Sequence, residues 1–163
     1  MKKTFAAIMV LFTLFLFTAC GKKTKSDEGV PSGTRFEHRI QFTVAGEEYI
    51  LLEYESVALS GLKDAITTEG SLMFFVSDYK GFALLGDKAY DIKSDPKELS
   101  VNTGDVVVDT DGHILIVYGS GNLKGEIIGK LNNPDPDFQK AALNEPEKNY
   151  VDIHSITTPL KAG

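Results

Sequence analysis

Val106-Val107-Val108-Asp109-Thr110-Asp111-Gly112-His113-Ile114-Leu115-Ile116-Val117-Tyr118 is the stretch whose reading decides the fold class. Two runs rich in β-branched residues flank Asp111-Gly112. That dipeptide suits a tight turn between antiparallel strands, because Asp and Gly tolerate the positive φ angles the turn demands. Gly104-Asp105 opens the first run, and Gly119-Ser120-Gly121-Asn122 reads as the turn after the second. The segment is a β-hairpin.

Working toward the N-terminus, Phe36, Ile40, Phe42 and Val44 alternate with Glu37, Arg39, Gln41 and Thr43, with His38 on the apolar side. This is the period of a half-buried strand. Ala45-Gly46 breaks it, and Glu48 to Tyr54 forms the second arm of another hairpin. Ser56 then caps a helix whose apolar stripe is Val57, Leu59, Leu62 and Ile66, ended by Gly70. Leu72 to Val76 suits a core strand, Leu84-Leu85 a short one and Lys88 to Ile92 another. Toward the C-terminus, Glu126 to Leu131 supplies a strand, Phe138 to Leu143 one or two helical turns, and Val151 to Ile156 an extra edge strand.

Many short strands with one helix predict a mainly-β domain, a small closed or partly open antiparallel β-barrel with the helix covering one end. The expected organisation is a barrel over residues 36–131 and a C-terminal extension over 132–163, packed on or beside it.

The N-terminal segment has a different logic. Lys2 and Lys3 precede an apolar run from Phe5 to Phe17, and small residues follow. A charged start, a short apolar run and small residues before a cut describe a secretory signal peptide, and the run is short for a membrane span of about 20 residues. Phe17-Thr18-Ala19-Cys20 resembles the lipobox of bacterial lipoproteins. That resemblance implies cleavage after residue 19 and lipidation of Cys20, with palmitate among the acyl chains. Two or more acyl chains hold a protein stably on a membrane, whereas one does so only marginally. Residues 20–35, rich in Lys, Ser, Gly, Asp and Pro, read as a flexible tether. The expected location is the outer side of the cell membrane, lipid-anchored and facing the periplasm or cell surface.

Charge narrows the partners. Loss of residues 1–19 leaves fifteen basic against twenty-three acidic residues, a net charge of −8. Such a surface has no footprint for nucleic acid, which needs a basic face. The single cysteine excludes an intrachain disulfide, so stability must come from the core.

Several pieces in order resemble a family. They are Ile40 to Val44, Gly46, Tyr49 to Glu53, a helix with Ala58 and Leu62, Asp78-Tyr79-x-Gly81, Gly104-Asp105-Val106, Tyr118-Gly119 and Gly125-Glu126-Ile127-Ile128-Gly129. Together they resemble the bacterial cyclophilin-like domain proteins, small eight-stranded barrels related in fold to prolyl isomerases, over residues 38–131. The resemblance implies the barrel. It does not transfer an active site, because the arginines are Arg35 and Arg39, and Arg39 falls on the polar side of its strand.

No catalytic constellation emerges from the residues. His38, His113 and His154 are scattered, and Asp109-x-Asp111-Gly112 is part of a calcium loop without its remaining oxygen ligands, so no metal site or cofactor is expected. The residual signal is aromatic. Tyr79 and Phe82 lie on the loop Asp78-Tyr79-Lys80-Gly81-Phe82, and Tyr118 ends a hairpin strand, so the three are candidates to line a shallow ligand groove. The leading expectation is a tethered, non-catalytic binding or interaction domain with an envelope protein or peptide as partner. The alternative is a peptidyl-prolyl cis-trans isomerase acting on exported proteins.

Overall fold

The computed structural model describes residues 36–135 and 137–159. The signal segment, Cys20, the tether and Arg35 lie outside these residues. The elements run β1 (Phe36–Val44), β2 (Glu47–Glu53), α1 (Val57–Glu69), β3 (Ser71–Tyr79), β4 (Ala83–Ala89), β5 (Lys97–Val101), β6 (Asp105–Asp109), β7 (His113–Val117), β8 (Gly121–Leu131), α2 (Phe138–Asn144), a 3-10 turn (Pro146–Lys148) and β9 (Tyr150–Pro159). All strand pairings are antiparallel. The order β2-β1-β9-β3-β4-β7-β6-β8 closes through a β8–β2 pairing, so eight strands form a ring, and β5 joins through β8. The mainly-β, antiparallel expectation holds at this level.

Local chemistry explains the elements the sequence marks clearly. The β1–β2 turn is two residues, Ala45 and Gly46, both at positive φ (54° and 88°), which matches the right-handed twist of the strands it joins. Ser56 Oγ accepts the Leu59 N–H at 3.0 Å and caps α1. At the other end Gly70, at φ 83°, donates its N–H to the Ile66 carbonyl at 2.8 Å. The buried stripe of α1 is Ala58, Leu59, Leu62 and Ile66, while Val57 is exposed. Val57 is the first helical residue, so it lies before the stripe has turned inward.

The core has two layers. The larger fills the ring with Ile40, Phe42, Val44, Leu51, Leu62, Leu72, Phe74, Val106, Val108, Ile114, Ile116, Val151 and Ile153 among others. The smaller lies on the opposite face of β6 and β7 and joins Val107, Leu115 and Val117 to Phe82, Ala83, Val101 and Leu123. Both faces of the β6–β7 hairpin are therefore buried, which is why its sequence is continuously apolar rather than alternating.

The helical turns expected over Phe138 to Leu143 form α2, which adds Phe138 and Ala142 to the ring's core, with the Phe138 ring 6.1 Å from that of Tyr49. Other expectations change. β9 is not an edge strand: it pairs with β1 on one side and β3 on the other. Lys88 to Ile92 is not a strand of its own. β4 ends at Ala89, and Tyr90 and Ile92 turn inward from an irregular segment. β5 was not expected, and β8 begins at Gly121, inside the anticipated turn.

Candidate functional site

β1 and β2 pair only beside their turn. Their register runs from Val44↔Glu47 to Gln41↔Ile50 and stops. Continued, it would set Ile40 against Leu51 and His38 against Glu53. Instead, among the described residues, Phe36–Ile40 pairs with β9 alone and Leu51–Glu53 with β8 alone. Each strand follows a different neighbour. β1 is held on β9 along its whole length, from Phe36↔Pro159 to Val44↔Val151. β2 is clamped on its far side: Asn132 donates its N–H to the Ile50 carbonyl at 2.9 Å, its Oδ1 accepts the Ile50 N–H at 2.6 Å, and the Tyr54 N–H reaches the Ile128 carbonyl at 3.0 Å. The ring wall opens between them as a slot.

The slot joins two cavities. One, of about 280 Å³, lies at the mouth of the ring beside α1 and is floored by Ile40 and Ile66, with Lys63, Thr67 and Ser155 at its sides. The other, of about 250 Å³, lies between Glu37 on β1 and Ile50, Leu51 and Leu52 on β2. His38, Arg39 and Glu53 line both. A larger depression of about 470 Å³ runs along α1 beside Tyr90 and Lys93, but no strand edge opens into it.

Charges at the slot are paired. Lys63 Nζ reaches Glu53 Oε2 at 2.5 Å, from α1 to β2, and Arg39 Nη2 reaches Glu37 Oε2 at 2.7 Å along β1. His38 Nδ1 lies 3.3 Å from Thr157 Oγ1, and the Thr67 hydroxyl donates to the Lys63 carbonyl at 2.8 Å. Exposed pairs of this kind are worth at most about 1 kcal/mol, so an arriving ligand can exchange them at little cost. An apolar floor, exchangeable charges of both signs and two strand edges make a surface suited to binding.

Of the aromatic candidates, Tyr79 and Phe82 meet in a packing contact in the outer layer, whereas Tyr118 packs against the ring's core and is tied to them through hydrogen bonds. The rings of Tyr79 and Phe82 meet edge to face with centroids 5.7 Å apart. Phe82 is only 9% exposed and belongs to the outer core. A Cβ on Gly121 would fall 2.7 Å from the Phe82 ring, so the strand passes directly over it. The Phe82 carbonyl accepts the N–H groups of Tyr118 and Gly119 at 2.9 and 3.0 Å. Tyr118 donates its hydroxyl to Asp78, whose other carboxylate oxygen accepts the Gly81 N–H at 3.0 Å. Burial first, then the hydrogen bond to Asp78 and its charge, push the Tyr118 hydroxyl up to about 12, so it is a neutral donor.

Two further clusters have local explanations. Ligand atoms of Asp109, Asp111 and His113 lie within 4.8 Å of one another. Asp109 Oδ1 already accepts the N–H groups of Asp111 and His113, both at 2.9 Å, which is how a carboxylate closes a turn. On β9, His154 Nδ1 sits 3.1 Å from Asp152 Oδ2, and Ser71 stands opposite His154 in the register. Among the described residues no hydroxyl bonds that ring, so the contact a nucleophile would need is not made.

The slot itself was not legible from the sequence. His38, Ile40, Glu53 and Lys63 carry no motif, and they meet only because β1 and β2 part. Comparison with known proteins gave no match among family models, characterised sequences or solved structures.

Proposed function

We propose that this chain is a lipoprotein tethered through Cys20 outside the cytoplasm, and that its folded unit binds a ligand at the β1–β2 slot rather than catalysing a reaction. The observation that carries the binding reading is the slot, where two strands of an otherwise closed ring part over an apolar floor. The tether reading rests on the charged start, the short apolar run and the Cys20 lipobox. No helix among the described residues is long and apolar enough to cross a membrane, so in this reading lipid at Cys20 makes the attachment. The closed eight-strand ring, with α1 packed into its core, is compatible with a cyclophilin-like barrel. An isomerase would need a cation aimed into a dry groove. Arg39 is exposed and paired with Glu37, and gives that reading no support.

Two experiments test the proposal. Cells grown with an alkyne analogue of palmitate should label the wild-type protein and not Cys20→Ser; label persisting on the variant overturns the anchor. For the site, the purified lipoprotein is titrated with a panel of peptides, glycan fragments and small metabolites. Amide resonances of Ile40, Glu53, Lys63 and Ile66 should shift. Shifts confined elsewhere overturn the slot, and conversion of any panel compound overturns the non-catalytic half.

A further inference from the structure

We infer that the occupant of the slot is an extended polypeptide segment, added as a strand between β1 and β2. The inference rests on the binding reading above and gives it a ligand class. The argument is about backbone chemistry. Every strand has two edges, and backbone N–H and C=O groups on an edge need a partner or water. Beyond Gln41↔Ile50 the facing edges of β1 and β2 are paired with no strand among the described residues. They are still held in extended conformation by β9 and β8 behind them. Two preformed edges across one gap offer an incoming chain hydrogen bonds on both sides, whereas a lone edge offers them on one.

The geometry sets what enters. β1 and β2 are antiparallel to each other. The inserted segment is therefore parallel to one and antiparallel to the other. The open stretches are Phe36–Ile40 on β1 and Leu51–Glu53 on β2, so three to five residues of the guest are engaged. At about 3.3 Å per residue that spans roughly 10 to 17 Å. Alternate guest side chains point to opposite faces. One set faces Ile40 and Ile66, which the ring's core leaves only 3% and 4% exposed, and the other emerges beside Leu52, which is 51% exposed. The guest favoured is an extended segment with an apolar residue at every second position and little constraint on charge between them, since Arg39, Lys63, Glu37 and Glu53 offer both signs.

The competing place for strand addition is β5, which pairs with β8 alone. Its sequence, Lys97-Glu98-Leu99-Ser100-Val101, carries charge at the edge, a device that discourages pairing. It would also engage only one side of a guest.

That difference gives the test. Random peptides displayed on phage are selected against the full lipoprotein purified in detergent, and a selected peptide is resynthesised with N-methyl groups on one or the other alternate set of amides. A strand between two neighbours donates from both sets. Methylating either should weaken binding roughly tenfold or more, about what two lost backbone hydrogen bonds amount to. Amide exchange should slow at His38, Ile40, Leu51 and Glu53. A peptide sensitive to only one set, or one protecting Lys97–Val101, overturns the inference and leaves a binding domain with its site elsewhere. Failure to select any peptide, with shifts at Ile40 and Lys63 produced only by the non-peptide members of the panel, overturns the peptide and keeps the slot. Failure of both overturns both readings.

Discussion

The Glu126 carboxylate accepts the backbone N–H of Val57 at 2.9 Å, joining the middle of β8 to the first residue of α1. Its second oxygen accepts the Asp95 N–H at 2.6 Å. One edge of β8 is shared: Gly121–Gly125 pairs with β5 and Gly129–Leu131 with β2, and Glu126 sits in the gap between them. The side chain thus replaces the strand pairing missing there and places a negative charge at the helix N-terminus, where the helix dipole favours it.

Removing that carboxylate leaves two donors to water. Because both bonds are exposed, we expect Glu126→Ala to cost about 1–2 kcal/mol, below the full value of a buried charge-assisted pair. Glu126→Gln retains one acceptor and should cost roughly half as much. Urea unfolding of the two variants checks this. Equal losses would show that charge at the helix end, not hydrogen bonding, is what Glu126 supplies.

Gly112 and Gly46 separate two roles of glycine in a turn. Both are at positive φ, 87° and 88°. A Cβ on Gly46 meets nothing within 4 Å, so Gly46→Ala pays only the left-handed strain of about 1–2 kcal/mol. A Cβ on Gly112 would fall 2.2 Å from the Tyr90 carbonyl oxygen, inside any permitted contact. Since the Tyr90 N–H also bonds the Gly112 carbonyl at 3.0 Å, the two backbones cannot part without losing that bond. Gly112→Ala should therefore lower the melting temperature by at least twice as much as Gly46→Ala. Similar losses would mean that the Tyr90 segment moves aside freely.

Where one strand face is buried, the sequence of β1 shows it by alternation, and Ser56 and Gly70 bracket α1; β3 hides it, since Met73 and Phe75 are as apolar as their neighbours yet lie 60% and 58% exposed. What stayed hidden depends on partners distant in the chain. β9 has ordinary alternation in Val151 and Ile153, and nothing local says that β1 and β3 lie on either side of it. β5 has Leu99 and Val101 facing a second core that exists only because β8 carries the strand there. Tyr90 and Ile92 alternate like a strand because a loop crossing the core also buries every second residue. The slot is the extreme case, since it follows from where a register ends.

Tyr118 and Tyr90 give the protein an alkaline signature. Burial, the hydrogen bond to Asp78 and its charge raise Tyr118 to about 12. Burial, then the charges of Glu69 and Asp87, raise Tyr90 to about 12. The unfolded chain releases these protons at about pH 10. The native state then holds more protons than the unfolded one, so this contribution is complete below pH 10 and is lost as pH rises toward about 12. We expect denaturant stability to fall across that window, and Tyr118→Phe to flatten the fall while costing about 1 kcal/mol at neutral pH. An unchanged slope in the variant would show that the native Tyr118 hydroxyl titrates near its ordinary value.

Tyr79 closes β3 rather than lying on a loop, and Phe82 decides whether the aromatics at the β3–β4 turn pack or bind. Phe82 lies under Gly121 and beside the Tyr79 ring, in the layer that also buries Leu115 and Val117. Truncating a buried phenylalanine costs about 3–5 kcal/mol through lost transfer energy and the cavity left behind. Tyr79 is half-buried, with Lys80 Nζ 4.8 Å from its ring centroid on the solvent side. Its truncation loses an edge-to-face contact of about 0.5–1.5 kcal/mol together with part of its burial. Phe82→Ala should thus destabilise clearly more than Tyr79→Ala in urea unfolding. The outer layer seals β6 and β7 rather than the slot, so neither change should move the amide resonances of Ile40 or Glu53. A Phe82→Ala protein of undiminished stability would return these aromatics to the role of a ligand groove.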